Sequence, residues 1–116
     1  MTALASDLPW WSSAPNPPCS DFCKDNHPER DFARGGGMSC TKTIVKTDVL
    51  EVGINQYRGA SVSGAAGEIR TDPVEVYIWV PALDDEFLPP DEAERILEAL
   101  TRAAAQAIRE AREANA

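Results

Sequence analysis

Long apolar runs, basic residues and histidine are all scarce in this sequence, and each scarcity excludes a class of protein. No apolar run approaches the ~20 residues that a membrane-spanning helix needs, so we expect no membrane contact. The 11 Lys and Arg face 19 Asp and Glu, which leaves a net charge of −8. Binding to a nucleic-acid backbone depends on many basic contacts. We therefore do not expect a nucleic-acid partner.

Signals for secretion and for catalysis are also missing. Residues 1–11 contain no Lys or Arg and no apolar h-region, so we expect a cytoplasmic protein. The sequence has no G-x-S-x-G, no H-E-x-x-H, and no glycine-rich phosphate loop followed by Lys and Ser or Thr. It has a single His to serve as general acid or base. We therefore do not expect an enzyme.

The length and composition fit one small globular domain of the α+β class. The chain has 116 residues, of which 43% are hydrophobic and 26% are charged. We predict a Pro/Trp-rich arm over residues 1–18 and a single domain over 19–116. Within that domain we predict a metal knuckle over 19–41, a small sheet over 42–82 and one long C-terminal helix over 89–115.

The arm contains two adjacent tryptophans, Trp10 and Trp11. Its prolines oppose helices and central strands alike, and they stand at Pro9, Pro15, Pro17 and Pro18. An extended segment is therefore predicted. Because tryptophan favours burial, the pattern favours a tether that packs onto the domain, with binding to a partner as the alternative.

The sheet is predicted from β-branched and alternating residues. Residues 43–47 suit a short strand, and alternation over 50–57 indicates a second, half-buried one. Residues 59–72 are mostly small and are predicted to form a loop. Alternation over 74–80 marks the clearest strand. We expect a mainly antiparallel sheet of about three strands.

The two faces of the strand over 74–80 differ in character. Val76 and Ile78 share one face, which we expect to be buried against the helix. Tyr77 and Trp79 share the other face. Their rings are large, so we expect this face to be covered or to bind a partner. We predict that the arm folds back to cover them. A surface for a protein partner, or a homodimer interface, is the alternative.

The C-terminal helix has a strong start signal and an apolar stripe. Pro90 suits the first helical position, and acidic residues follow it at the positive end of the helix dipole. The stripe contains Ile96, Leu97 and Leu100 and then becomes mostly Ala. We expect the first half to bury against the sheet. For the Ala-rich half we expect one of three outcomes: it packs closely, it frays, or it contacts another chain. The acidic run at 84–86 is interpreted as a solvated loop.

All three cysteines and the single histidine lie within 22 residues, as Cys19, Cys23, His27 and Cys40. Three thiolates and one imidazole are the ligands that a tetrahedral zinc ion takes in proteins. A continuous helix would place Cys19 and His27 roughly 12 Å apart, too far to share one ion, so a turn must fall between them. We predict one structural zinc bound by these four residues.

Three alternatives to zinc stay open from the residues alone. The thiols could be reduced and unliganded beside a surface histidine, Cys19 and Cys23 could form a disulfide, or the four residues could hold an iron–sulfur cluster. The disulfide is disfavoured in a reducing cytosol.

The cysteine segment resembles a family of small proteins of unknown function from actinobacteria and their phages. The family pattern is C-P-x-W-C-x3-H, followed by a further His or Cys. Here Cys19 to His27 match it, with Ser20 in place of Pro and Phe22 in place of Trp. Cys40 stands where a second His is common.

The resemblance extends over residues 19–105. The family helix opens with Leu-Thr-Pro-Glu-Glu-Ala, and residues 88–93 match it with Pro89 in place of Thr. The resemblance implies a zinc knuckle within an α+β domain, and it implies no activity.

A shell of four protein ligands leaves no open position for water, which is typical of structural zinc. We interpret the chain as a small zinc-stabilised adaptor or regulator that acts through protein contacts, with Trp10, Trp11, Tyr77 and Trp79 as candidate partner-binding residues. The alternatives are a nucleic-acid-binding zinc-knuckle regulator, an acidic phage-type inhibitor of a host protein, and a metal-dependent hydrolase with one open position.

Overall fold

The computed structural model describes residues 8–61, 67–81 and 87–116. The chain clusters into two compact units. Unit 1 contains Met1–Cys40 and Gln56–Pro73, and unit 2 contains Thr41–Asn55 and Val74–Ala116. Unit 1 thus groups most of the predicted arm with the metal-knuckle segment. Residues 1–7 of the predicted arm and the acidic run at 84–86 lie outside the described residues.

The described chain forms a four-stranded sheet and one long helix, which confirms the predicted α+β class. In chain order the elements are a 3₁₀ turn (Trp10–Ser13), α1 (Asp31–Gly35), β1 (Gly37–Lys46), β2 (Glu51–Ala60), β3 (Ile69–Thr71), β4 (Glu75–Trp79) and α2 (Pro90–Asn115). β2 is the central strand and has β1 as one neighbour. β3 and β4 both pair with β2 in the antiparallel sense, at different ends of it.

The sheet differs from the prediction at two points. β3 falls inside the predicted loop, where Ile69–Thr71 pair with the last residues of β2. All three of its residues are exposed, so the strand has no buried face to produce an alternating pattern. β1 begins at Gly37 rather than near residue 43, because buried Met38 and Cys40 already alternate with exposed Ser39.

Unit 1 has a small core built around Phe32, Met38 and Cys40. Trp10 and Trp11 pack against this cluster, and the Trp10 ring centroid lies 5.8 Å from that of Phe32. The arm is therefore tethered within its own unit. It is not fully extended, because Trp10–Ser13 form a 3₁₀ turn.

Gly36 joins α1 to β1 in a conformation that requires glycine. Its φ of 70° lies in the left-handed region, where it ends α1. A Cβ atom at Gly36 would also lie only 2.8 Å from Cε2 of Trp11. Gly36 is thus a helix end on which a tryptophan of the arm packs.

Unit 2 buries one face of its strands and one stripe of α2. The buried residues of this unit are Leu50, Val52, Ile54, Val74, Val80, Ile96, Ala103, Ala107 and Ala111. The Ala-rich half of α2 therefore packs closely, which is one of the three outcomes that the sequence allowed. Its C-terminal end is fixed by Asn115, whose side-chain amide exchanges two hydrogen bonds with the backbone of Val74, at 2.8 and 3.0 Å.

The ring of Tyr77 packs against Gly53 of the neighbouring strand. Gly53 lies directly opposite Tyr77 in the β2–β4 pairing, and a Cβ atom at Gly53 would lie 2.6 Å from the Tyr77 ring. The Tyr77 hydroxyl donates to Glu51 Oε2 at 3.0 Å and lies 3.1 Å from Thr43 Oγ1. Tyr77 is therefore half-buried by its own strands.

Three predicted burials are wrong. Ile78, predicted to face the helix, is 51% exposed, and Leu97 of α2 is 62% exposed. The reason is that α2 buries the stripe through Ile96 and Ala103, which leaves Leu97 on its flank. Trp79 is 60% exposed, so its predicted burial is wrong.

Among residues 8–61, 67–81 and 87–116, no helix combines the length and the apolar content that crossing a membrane requires.

The contrast between Ile54 and Ile78 gives a matched stability test. Ile54 is buried in the central strand, so Ile54→Ala should lower the free energy of unfolding by about 2–4 kcal/mol through lost burial and a cavity. Ile78→Ala removes the same atoms from an exposed site and should cost less than about 1 kcal/mol. Urea unfolding followed by far-UV circular dichroism measures both. Equal costs would contradict the assignment of Ile54 to the core and of Ile78 to the exposed edge of the same sheet face.

Candidate metal centre

The four residues predicted as metal ligands meet at one point in unit 1. Cys19, Cys23, His27 and Cys40 each offer one ligand atom, and these four atoms all lie within 4.8 Å of one another. All three cysteines are free thiols, so the structure does not contain the alternative disulfide. The arrangement is compatible with a single metal ion.

Two pieces of backbone bring the ligands together. The first is the irregular segment before α1, where the N–H of Cys23 donates to the carbonyl of Ser20 at 2.9 Å and closes a turn. This is the turn that the spacing of Cys19 and His27 requires. The second is β1, which carries Cys40 on its buried side.

The two distances from the His27 ring to the sulfurs match the edges of a tetrahedral shell. His27 Nε2 lies 3.5 Å from Cys23 Sγ and 3.7 Å from Cys40 Sγ. A tetrahedral ion with Zn–S bonds of ~2.3 Å and a Zn–N bond of ~2.0 Å places sulfur and nitrogen about 3.5 Å apart. Nε2, rather than Nδ1, therefore faces the sulfurs and would bind an ion there.

The opposite ring nitrogen of His27 is held by a carboxylate. Nδ1 lies 3.3 Å from Asp31 Oδ2. Nε2 faces the sulfurs. Because a carboxylate only accepts hydrogen bonds, Nδ1 carries a proton and donates a hydrogen bond to Asp31 Oδ2. A carboxylate in this place fixes the tautomer and the orientation of a metal-bound histidine.

Cys40 receives more hydrogen bonds than the other two thiols. The N–H of Ser20 lies 3.5 Å from its sulfur, and Nη1 of Arg58 lies 3.6 Å from it. Arg58 also donates to Ser20 Oγ at 3.0 Å, and that hydroxyl donates in turn to Gln56 Oε1. A proline at position 20, as in the family pattern, would have no N–H to donate to the sulfur of Cys40.

The three thiols differ in exposure as well. Cys19 is exposed, Cys23 is half-buried and Cys40 is fully buried. One side of the candidate metal centre therefore faces solvent, while the other is enclosed by the core of unit 1.

The pKa values indicate that one of the three cysteines, Cys40, loses its proton more readily than the other two. Burial raises the pKa of Cys40, but the donors around it, with the Ser20 N–H first, outweigh burial and lower that pKa to about 7. Burial raises the pKa of Cys23 to about 11 and also raises that of Cys19. Burial lowers the pKa of His27, but hydrogen bonds to Cys40 and Asp31 raise it overall. A divalent cation supplies the positive charge that would deprotonate all three thiols together.

Sequence reasoning missed the residues that support the ligands. Arg58 lies 18 residues beyond Cys40, and no local pattern connects the two. Asp31 stands four residues after His27, a spacing that signals contact only within a helix. Here His27 lies in the segment before α1, so the spacing of four residues did not indicate the contact with Asp31.

The four candidate partner-binding residues lie in different surroundings. Trp10 and Trp11 are half-buried and pack on the core of unit 1. Tyr77 is half-buried over Gly53, and Trp79 is the most exposed of the four. Their role in binding a partner stays a prediction.

No protein-family model, curated protein or solved structure matches this chain. The resemblance to the actinobacterial and phage family therefore stays a prediction.

The hydrogen bond between Asp31 and His27 should contribute to metal affinity. Asp31→Asn is expected to weaken binding of Co²⁺ by about tenfold or more, because the imidazole loses the carboxylate that orients it. The matched control is Asp21→Asn, which removes the same charge from an exposed position of the same segment. Visible absorption during titration against a competing chelator measures both affinities. Equal weakening by the two variants would mean that Asp31 acts through charge alone.

Proposed function

We propose that this chain binds one zinc ion through Cys19, Cys23, His27 and Cys40 and acts through protein contacts as a small adaptor or regulator. The observation that carries the zinc proposal is the convergence of these four ligand atoms within 4.8 Å. Three sulfurs and one imidazole nitrogen are soft and borderline ligands, which suit zinc better than calcium or magnesium.

The spacing of the ligand atoms favours one ion over an iron–sulfur cluster. A cluster of several irons separates its protein ligands by more than a single ion does, because each ligand binds a different iron. Distances of 3.5 and 3.7 Å from His27 Nε2 to two of the sulfurs match the edges of a single coordination tetrahedron. A complete shell of four protein ligands supports a structural role, with no position for a substrate or water.

The described surface of unit 2 supports a role in protein contacts. Leu97 and Ile108 of α2 are exposed and lie eleven residues apart, close to three helical turns, so they share one side of the helix. Asn115 follows Leu97 by five turns and binds the backbone of Val74, immediately before β4. That side of α2 therefore faces β4, where Ile78 is exposed as well. Ile78, Leu97 and Ile108 are separate exposed side chains on this side of unit 2, and we call them together the apolar strip.

Charge favours a protein partner over nucleic acid. The net charge is −8, and several of the basic side chains near the metal-knuckle segment are already engaged. Lys42 pairs with Glu110, Lys46 lies 3.8 Å from Glu51, and Arg30 donates to the carbonyl of Ser12. The other cations of this stretch are Lys24 and Arg34, which stand among four acidic residues, Asp21, Asp25, Glu29 and Asp31. Leu97 shares a groove with Glu98, Thr101 and Arg102, so the partner that fits best has an apolar patch with groups of both charges around it.

A capture experiment with surface variants tests this function. The zinc-loaded chain should contain close to one zinc per molecule by elemental analysis. Immobilised, it should retain a partner from a lysate of the source cells, and Leu97→Ser should reduce that retention by at least about tenfold because an exposed apolar anchor is lost. The matched control is Ile69→Ser, which alters an exposed apolar residue of unit 1.

A third variant separates the two candidate surfaces of unit 2. Trp79 lies on the opposite face of β4 from Ile78, so Trp79→Ser should have little effect if the partner binds the apolar strip. Loss of retention with Trp79→Ser alone would move the contact to the other face. Equal retention by all variants, or a zinc-free protein that stays fully folded, would contradict the proposal.

A further inference from the structure

The three thiols of the candidate metal centre are not equivalent, although their ligand atoms converge on one point. Cys40 is fully buried and accepts hydrogen bonds from the Ser20 N–H and from Arg58. Cys23 is half-buried. Cys19 is exposed to solvent, and among the described residues no backbone N–H or guanidinium donates to its sulfur. Exposure singles out Cys19 among the three thiols, and hydrogen bonding also separates it from Cys40.

Both differences act on the reactivity of a metal-bound thiolate. A hydrogen-bond donor withdraws electron density from sulfur and makes it a weaker nucleophile, while burial keeps reagents away from it. Cys40 is protected in both ways. An exposed thiolate with a second cysteine close by is the arrangement that peroxides oxidise selectively.

We propose that Cys19 is the modification site of the metal centre. It reacts first with two-electron oxidants of the hydroperoxide class, and Cys23 then resolves the product as a disulfide. The inference rests on the proposed zinc site. It adds to that site an order of reaction among its three sulfurs and a class of molecule that the centre responds to.

The chemistry balances with hydrogen peroxide as the oxidant. The Cys19 thiolate attacks one peroxide oxygen, so that an S–O bond forms, the O–O bond breaks and hydroxide leaves. Cys19 is then a sulfenic acid, oxidised by two electrons, and the peroxide has been reduced. The Cys23 thiolate attacks the Cys19 sulfur, an S–S bond forms, the S–O bond breaks, and a second hydroxide leaves.

The disulfide removes two of the four metal ligands at once. Cys19 and Cys23 are four residues apart, and their sulfurs already lie within the 4.8 Å cluster, so little movement is needed to join them. His27 and Cys40 remain, and two ligands do not hold a structural zinc ion against water. Oxidation at the exposed edge of the centre would therefore release the metal from the whole of it.

The sequence allows the product to be identified by peptide mapping. Cleavage after Lys and Arg leaves Cys19 and Cys23 together on residues 1–24 and places Cys40 on residues 35–42. A Cys19–Cys23 disulfide is then an internal bond of one peptide, whereas any disulfide to Cys40 joins two. Cleavage before Asp places the three cysteines on residues 7–20, 21–24 and 31–47, which locates a single alkylation unambiguously.

The test uses the full chain loaded with zinc, treated with hydrogen peroxide while a chromogenic indicator reports free zinc. Zinc release should rise together with the internal disulfide of peptide 1–24. In a parallel experiment, limiting iodoacetamide should alkylate Cys19 at least about tenfold faster than Cys40, because only Cys19 is both exposed and free of strong donors.

A variant checks the assignment independently. Cys19→His keeps a nitrogen ligand at this position but removes the oxidisable sulfur, so it should bind zinc and release it at least about tenfold more slowly under peroxide. The alkylation map of the unmodified chain does not depend on this variant folding.

The outcomes separate this inference from the proposed function. A chain that binds no zinc overturns both. A chain with one zinc overturns this inference alone if its first disulfide includes Cys40, if Cys40 is alkylated as fast as Cys19, or if peroxide leaves the zinc bound.

Discussion

The convergence of four ligand atoms in unit 1 is the constraint on which the rest of this unit depends. The segment from Cys19 to Cys40 contains one five-residue helix, three consecutive glycines and few apolar residues. Ordering each residue costs about 1–2 kcal/mol of backbone entropy, and the fully buried core that opposes this cost is small, centred on Phe32, Met38 and Cys40. A metal ion that joins the irregular segment to β1 supplies the missing stabilisation in our account.

The polar groups around the ligands extend this cross-link into the sheet. Arg58 on β2 contacts both Cys40 and Ser20, and Gln56 of the same strand accepts from Ser20 and donates to the carbonyl of Asp72 at 3.1 Å. With a divalent ion bound, three thiolates and one imidazole would leave a single negative charge, which the guanidinium would offset. Arg58 thus joins β2 to the segment before α1, and it would also balance the charge of a metal bound there.

Unit 2 is stabilised differently, and its sequence was correspondingly easier to interpret. The start of α2 at Pro90 and its end at Asn115 agree with the predicted helix, because proline, acidic residues and an apolar stripe all mark the same segment. The rotation of that stripe was not predictable, since alanine makes it wide and nothing local distinguishes Leu97 from Ile96. The contacts of Asn115 and Glu110 with the strands agree with the side of the helix that the buried residues define.

The candidate metal site was predictable for a different reason. Cysteine and histidine occur nowhere else in the chain, so their number and clustering identified the four ligands without knowledge of the fold. The supporting residues Asp31, Ser20 and Arg58 have common side chains whose roles arise only when separate segments meet. The same limit applies to β3, whose pairing with β2 is visible only in the folded chain.

Hydrogen exchange of the full chain, with zinc bound and after its removal by a chelator, tests the central claim most directly. Our account predicts that amides of residues 31–40 lose protection by at least about 100-fold when the metal is removed. Amides in the buried stripe of α2, from Ile96 to Ala111, should keep theirs. Equal protection of residues 31–40 in the two states would contradict the claim that a metal ion holds unit 1 together.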